Sequence, residues 1–147
     1  MPRFRRINID GDSLMKTETR RTAAALLPGT FAYIDSTSDE FTQATSARGR
    51  LYVIDVGHTQ GLTVNEAIPA DDSAIGNYVE EGREFAVRFA ASTALKKDDP
   101  ITVTTGGLGL KGTEGTDKII GYSQETVTLA AGSTDLVRVR ARQFAIS

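Results

Sequence analysis

Hydrophobic and polar residues alternate with a period of two along most of this chain. Thr30–Ile34 (TFAYI) and Arg50–Ile54 (RLYVI) are short runs rich in β-branched and aromatic residues, and they read as strands. A further short strand around Phe41–Thr45 fits the polar, turn-forming stretch between them. Glu84–Ala90 (EFAVRFA) shows the cleanest alternation. Phe85, Val87 and Phe89 fall on one face, with Glu84, Ala86, Arg88 and Ala90 on the other. Lys96–Pro100 is turn chemistry, and Pro100 opens the strand Ile101–Thr105. Lys118–Tyr122, Glu125–Leu129 and Leu136–Ala141 follow at short spacing, the last alternating Val137, Val139 and Ala141 with Arg138, Arg140 and Arg142. Seven or eight short strands without a long helix predict an all-β fold. The expected form is a single small antiparallel β-barrel or sandwich, jelly-roll-like, over residues 30–147. Its expected core is Phe85, Val87, Phe89, Ile101, Val103, Val137 and Val139.

Residues 1–29 pattern differently and predict an extended N-terminal arm and lead-in. Arg3-Phe4-Arg5-Arg6-Ile7-Asn8-Ile9 alternates only loosely, and Asp10-Gly11-Asp12 breaks any element. Thr22–Leu27 could form one helical turn by propensity before Pro28-Gly29 stops it, but so short a helix is marginal alone.

Composition narrows the chemistry. The 147 residues suffice for one domain with a real core. Cys is absent, which excludes disulfides, thiolate zinc sites and a cysteine nucleophile. The single histidine, His58, excludes a multi-histidine metal site. No apolar run approaches the roughly 20 residues of a membrane helix. No signal-peptide-like apolar stretch follows the basic N-terminus, so a cytosolic or assembly-bound protein is expected. The net charge of −2 hides an asymmetry. Residues 1–21 carry six basic and three acidic side chains, residues 22–134 eight and fifteen, and residues 135–147 three and one. A basic end can bind nucleic acid, an acidic membrane or an acidic protein surface, or be simply solvated.

No constellation assembles a reaction. Gly107-Leu108-Gly109-Leu110-Lys111-Gly112 matches G-x-G-x-x-G by letter and follows a strand, but Thr113–Asp117 is loop chemistry and opens no helix. A phosphate would find no helix N-terminus there. Asp55 lies near His58 and a triad with Ser73 can be drawn, yet nothing places that serine on a strained elbow. His58, between Gly57 and Gly61, reads as an exposed turn residue. Asp71-Asp72 and Asp98-Asp99 lack calcium-loop spacing and read as turn or cap residues. A small all-β oligomeric nucleotide hydrolase is the enzymatic alternative. Gly121-Tyr122-Ser123 is its nearest string, without the surrounding motifs. Arg138, Arg140 and Arg142 have no interleaved aromatics, so a nucleic-acid-binding strand face is not expected.

One order of features carries a resemblance. Ala23–Leu27 leads into Leu27-Pro28-Gly29-Thr30 and a strand, then Phe41, then Arg50–Asp55 (RLYVID). Val79–Val87 (VEEGREFAV), Leu95–Val103 (LKKDDPITV), Gly106-Gly107, Ile119–Ser123 (IIGYS) and the Leu136–Ala141 strand complete it. Over residues 22–141 the chain resembles the capsid decoration, or cement, proteins of tailed bacteriophages. The resemblance implies a structural virion protein without catalysis, cofactor, metal or small-molecule substrate, and with no nucleic-acid or membrane partner. It implies binding to the outer face of the major capsid protein shell as a homo-oligomer, a dimer or trimer. The protein would stand on the capsid outer surface, after passage through the host cytoplasm during assembly. Another head or tail structural protein is the remaining alternative. The arm supplies the expected contact residues toward shell or neighbour. Phe4, Ile7 and Ile9 would give burial, and Arg3, Arg5 and Arg6 would face an acidic surface.

Overall fold

The computed structural model of the protein describes residues 2–9 and 16–142. Strands β1 (Thr17–Arg21), β2 (Phe31–Ile34), β3 (Phe41–Gln43), β4 (Tyr52–Ile54) and β5 (Ser73–Tyr78) build an antiparallel sheet in the order β1-β5-β4-β2-β3. Strands β6 (Glu84–Phe89), β7 (Ala94–Leu95), β8 (Pro100–Thr104), β9 (Leu108–Lys111), β10 (Gly121–Ser123), β11 (Val127–Thr128) and β12 (Asp135–Ala141) follow. Of these, β10-β12-β6-β9-β8 close into a barrel, and β7 pairs with β11 as a separate ribbon. The expected all-β fold is present. It is a closed barrel joined to a second, curled sheet.

The barrel follows from the alternation along β6 and β12. Val137 sits opposite Val87 and Val139 opposite Phe85 across their ladder. All seven residues expected in the core are buried, from Phe89, Ile101 and Val137 at 0% exposure to Val103 at 5%. The opposite face of β6 is buried too, against expectation. Ala86 is 0% and Arg88 2% exposed, because residues from the first half of the chain cover that face. Arg88 is accommodated by donating from Nε to the Pro28 carbonyl at 2.9 Å and from Nη1 to Thr134 Oγ1 at 3.0 Å. Its Nη2 donates to the Val64 carbonyl at 2.5 Å. Gly109 lies against Phe89, whose ring would stand 2.6 Å from any Cβ at that position.

The five-stranded sheet curls until its edges nearly meet. Thr22, just past β1, bridges Phe41 of β3 in parallel, and Ala23 N donates to Phe41 O at 3.0 Å. The concave side encloses a second small core of Leu26, Ala32, Phe41, Tyr52, Ile54, Ile68 and Ala74. Gly76 is required there, since a Cβ would come within 2.6 Å of the Phe41 ring. Residues 22–27 form no helix. Leu26 and Ile68 exchange backbone hydrogen bonds at 3.0 and 2.8 Å, so this stretch is held by its partners.

The described residues of the N-terminal segment do not lie outside the β domain. Ile7 is 0% exposed within the larger core, and Phe4 and Ile9 pack against it. Asn8 bridges Phe85, and Ala86 N donates to Ile7 O at 2.8 Å. The division at residue 30 is therefore redrawn, because β6 leaves backbone groups and apolar surface that residues 7–8 and Gly29 satisfy. The break expected at Asp10-Gly11-Asp12 lies outside the described residues.

Candidate functional site

The expected arm contacts divide in two. Phe4, Ile7 and Ile9 spend their apolar surface on their own barrel, each fully buried side chain being worth about 1.5–3 kcal/mol. Arg3 is tied down as well. Its guanidinium forms a two-pronged pair with Glu125, Nη1 donating to Oε2 at 2.9 Å and Nη2 to Oε1, and Nη1 also reaches the Leu136 carbonyl at 3.0 Å. Burial pushes the Glu125 carboxyl up, but Arg3 and the Arg138 N–H outweigh it and hold the group below the usual carboxylate range. Arg5 and Arg6 are exposed.

The residues weighed for chemistry stay apart. His58 is exposed in a 3-10 turn, His58–Gln60. Asp55 Oδ1 accepts from Val56 N at 2.7 Å and its Oδ2 from Asn77 at 3.2 Å. Ser73 begins β5, with no strained elbow, its N–H donating to Asp72 at 2.8 Å. Gly107–Gly112 runs through the β8–β9 hairpin and along β9 rather than into a helix. Asp99 accepts the Lys96 N–H at 2.8 Å and pairs with Lys111 at 3.3 Å, which together hold it below its ordinary pKa. Among the described residues no three His, Cys, Asp or Glu side chains gather as a metal site, and no helix is long and apolar enough to cross a membrane.

What the fold does build is a polar mouth at the open end of the curled sheet. Register places Glu18 opposite Gly76, and Tyr52 opposite Tyr78. The missing side chain at Gly76 leaves room above it. Glu18 Oε1 accepts from Tyr78 Oη at 2.8 Å and from Tyr52 Oη at 3.0 Å, while Arg20 pairs with Oε2 at 3.2 Å. Arg20 also bridges to Asp39 at 3.1 Å, which ties β1 to the β2–β3 turn across the seam of the sheet. The Tyr78 hydroxyl, then Tyr52 and Arg20, lower the Glu18 pKa. Burial and that same carboxylate raise Tyr52 to about 12. Tyr78 is raised chiefly through its hydrogen bond to Glu18.

Around this triad lies a cavity of about 450 Å³ walled by Tyr33, Ile34, Arg48, Arg50 and Tyr52. It adjoins one of about 260 Å³ that runs past Tyr78 to Glu80 and shares Glu18, Arg50 and Tyr52. The Arg48 guanidinium stacks 3.7 Å from the Tyr33 ring centroid. Arg50 holds a left-handed backbone, φ 54°. The sequence offers a faint signal of this site in the spacing of Tyr33, Tyr52 and Tyr78 along three separate strands. Nothing local marks Glu18 as their partner, because it belongs to an edge strand 34 residues from Tyr52.

No protein-family model and no curated protein matches the chain. Among solved structures, it is similar to the N base of head fiber gp8.5 in bacteriophage phi29. That match has a TM-score of 0.60 and 14% sequence identity, and covers 91% of this chain and 99% of the other. At that identity the likeness is one of backbone path, and the barrel with its curled companion sheet is the fold of that head-fiber base.

Proposed function

We propose that this chain is a structural protein of a phage virion that binds the outer surface of the major capsid protein shell and stabilises or decorates it without catalysis. The fold likeness to a head-fiber base over nearly the full length of both chains carries this reading. Attachment as a dimer or trimer would multiply its contacts with the shell, since linked sites raise avidity without a single strong contact. The fold likeness equally admits attachment of a longer fibre or of another head component through the same domain.

Co-sedimentation with shells that lack this chain tests the reading. Saturable, stoichiometric binding to intact shells, absent with disassembled capsid subunits, is the expected result. Failure to bind shells overturns it in favour of another head or tail structural component, and turnover of nucleotides by the purified protein in favour of the small β hydrolase.

A further inference from the structure

The mouth of the curled sheet carries positive charge that its internal pairing leaves over. Every carboxylate in its walls is engaged: Glu18 by Tyr52, Tyr78 and Arg20, Asp39 by Arg20, and Glu80 by Lys16 at 3.2 Å. Arg48 and Arg50 line the same cavity, are exposed, and have no carboxylate within 4 Å among the described residues. Asp35, the carboxylate whose field reaches Arg48, accepts the Thr37 and Ser38 N–H groups at 2.8 and 3.2 Å. Stacking on Tyr33 fixes the plane of the Arg48 guanidinium while leaving its in-plane N–H groups able to donate. Arg50 keeps a backbone conformation that costs energy for a residue with a side chain, as residues at binding sites often do.

We propose that this mouth docks an acidic, extended segment of the capsid shell subunit, Arg48 and Arg50 each receiving a carboxylate. The inference rests on the shell-binding reading and names its contact surface. Charge complementarity selects a carboxylate-bearing partner. The shape selects a peptide over a free anion, because the two adjoining cavities form a trough floored by Tyr52 and Tyr78 and walled by Ile34 and Tyr33. Tyrosine and arginine are the side chains that interface hot spots favour. Glu18 holds the two tyrosines in place and pairs with Arg20, and its field reaches Arg50 without an ion pair between them.

Two measurements test this. In the first, isotope-labelled protein is titrated with a capped hexaglutamate peptide, a hexaglutamine peptide and inorganic phosphate, and followed by NMR. Hexaglutamate should shift Arg48, Arg50, Tyr33 and Tyr78 resonances saturably, hexaglutamine should not, and the R48Q/R50Q double variant should bind at least tenfold more weakly. An R5Q/R6Q variant should bind like the wild type. Shifts centred on Arg5, Arg6, Arg138 or Arg140, an unchanged response in R48Q/R50Q, or an equal response to phosphate alone overturns the proposal.

In the second, wild type and R48Q/R50Q are compared for shell co-sedimentation across a salt series, with melting temperatures checked for equality. The double variant should bind at least tenfold more weakly and with a shallower salt dependence. Equal binding of both overturns the docking surface while leaving shell binding intact. No shell binding by wild type overturns the functional reading, and the peptide titration still decides whether the mouth takes acidic segments. A wild-type self-association that R48Q/R50Q abolishes would assign the mouth to a second copy and overturn shell docking.

Discussion

The two halves of this molecule solve the same problem differently. The closed barrel of β6, β8, β9, β10 and β12 fills its interior with Phe85, Val87, Phe89, Ile101 and Val139, and its charged side chains pair along the outside, as Arg138 and Arg140 do with Glu84. The curled sheet of β1–β5 has a smaller apolar core and finishes its open end with hydroxyls around a carboxylate. A sheet that closes on itself removes its edges and needs no polar seam. A sheet that stops short must satisfy its mouth with polar groups, and here Glu18, Tyr52 and Tyr78 satisfy one another. The barrel holds the larger apolar core, and the curled sheet carries the proposed docking surface.

The largest test of that division is Phe89→Ala. Phe89 is fully buried against Gly109, and the variant should lose about 3–5 kcal/mol in denaturant unfolding. A midpoint close to wild type would move the stability centre away from the barrel. Ile7→Ala should come next, at about 2–5 kcal/mol, since Ile7 is buried in the same core. A chain lacking residues 1–9 should unfold more easily for the same reason, whereas a free arm could be removed at no cost.

In the curled sheet, Glu18→Gln should cost roughly 1–2 kcal/mol, reduced because the carboxylate is a quarter exposed. The effect should depend on pH. Glu18 titrates lower in the folded protein, so its contribution is present above the unfolded carboxylate pKa of about 4.3 and fades as pH falls through the folded value. The stability gap between wild type and E18Q should therefore narrow in acid, and a constant gap would detach Glu18 from the tyrosines. At alkaline pH, Tyr52 is raised to about 12, so it stabilises the fold below its unfolded pKa of about 10 and ceases to as pH rises through the folded value. Tyrosinate absorbance should show this late titration, and E18Q should bring it down part of the way, burial retaining the rest. The smallest effect belongs to His58→Ala, within about 0.5 kcal/mol in thermal melting, because His58 is an exposed turn residue.

Much of the barrel was legible, and so were β2, β3 and β4 of the curled sheet, whereas its strands β1 and β5 were not. Strands β6, β8 and β12 carry period-2 patterns of β-branched and aromatic residues, so their faces could be read directly. The strand expected at Lys118–Tyr122 begins only at Gly121, because Ile119 and Ile120 point into the core just before the ladder starts. β1 (TETRR) and β5 (SAIGNY) carry no apolar alternation. They are strands because they pair with each other over five residues. The same reason hid the mouth, whose carboxylate and tyrosines come together only once that pairing is made.

By itself, then, the sequence determined the all-β class, the inward face of β6, β8 and β12, and the absence of thiol chemistry. Those follow from local alternation and from residue types present or missing. Tertiary structure alone decided that Ile7 belongs to the core, that both faces of β6 are buried, and that Glu18 meets Tyr52 and Tyr78. Each of these joins residues far apart in the chain, and such a meeting depends on which strand finds which partner, a choice that no short window of sequence encodes.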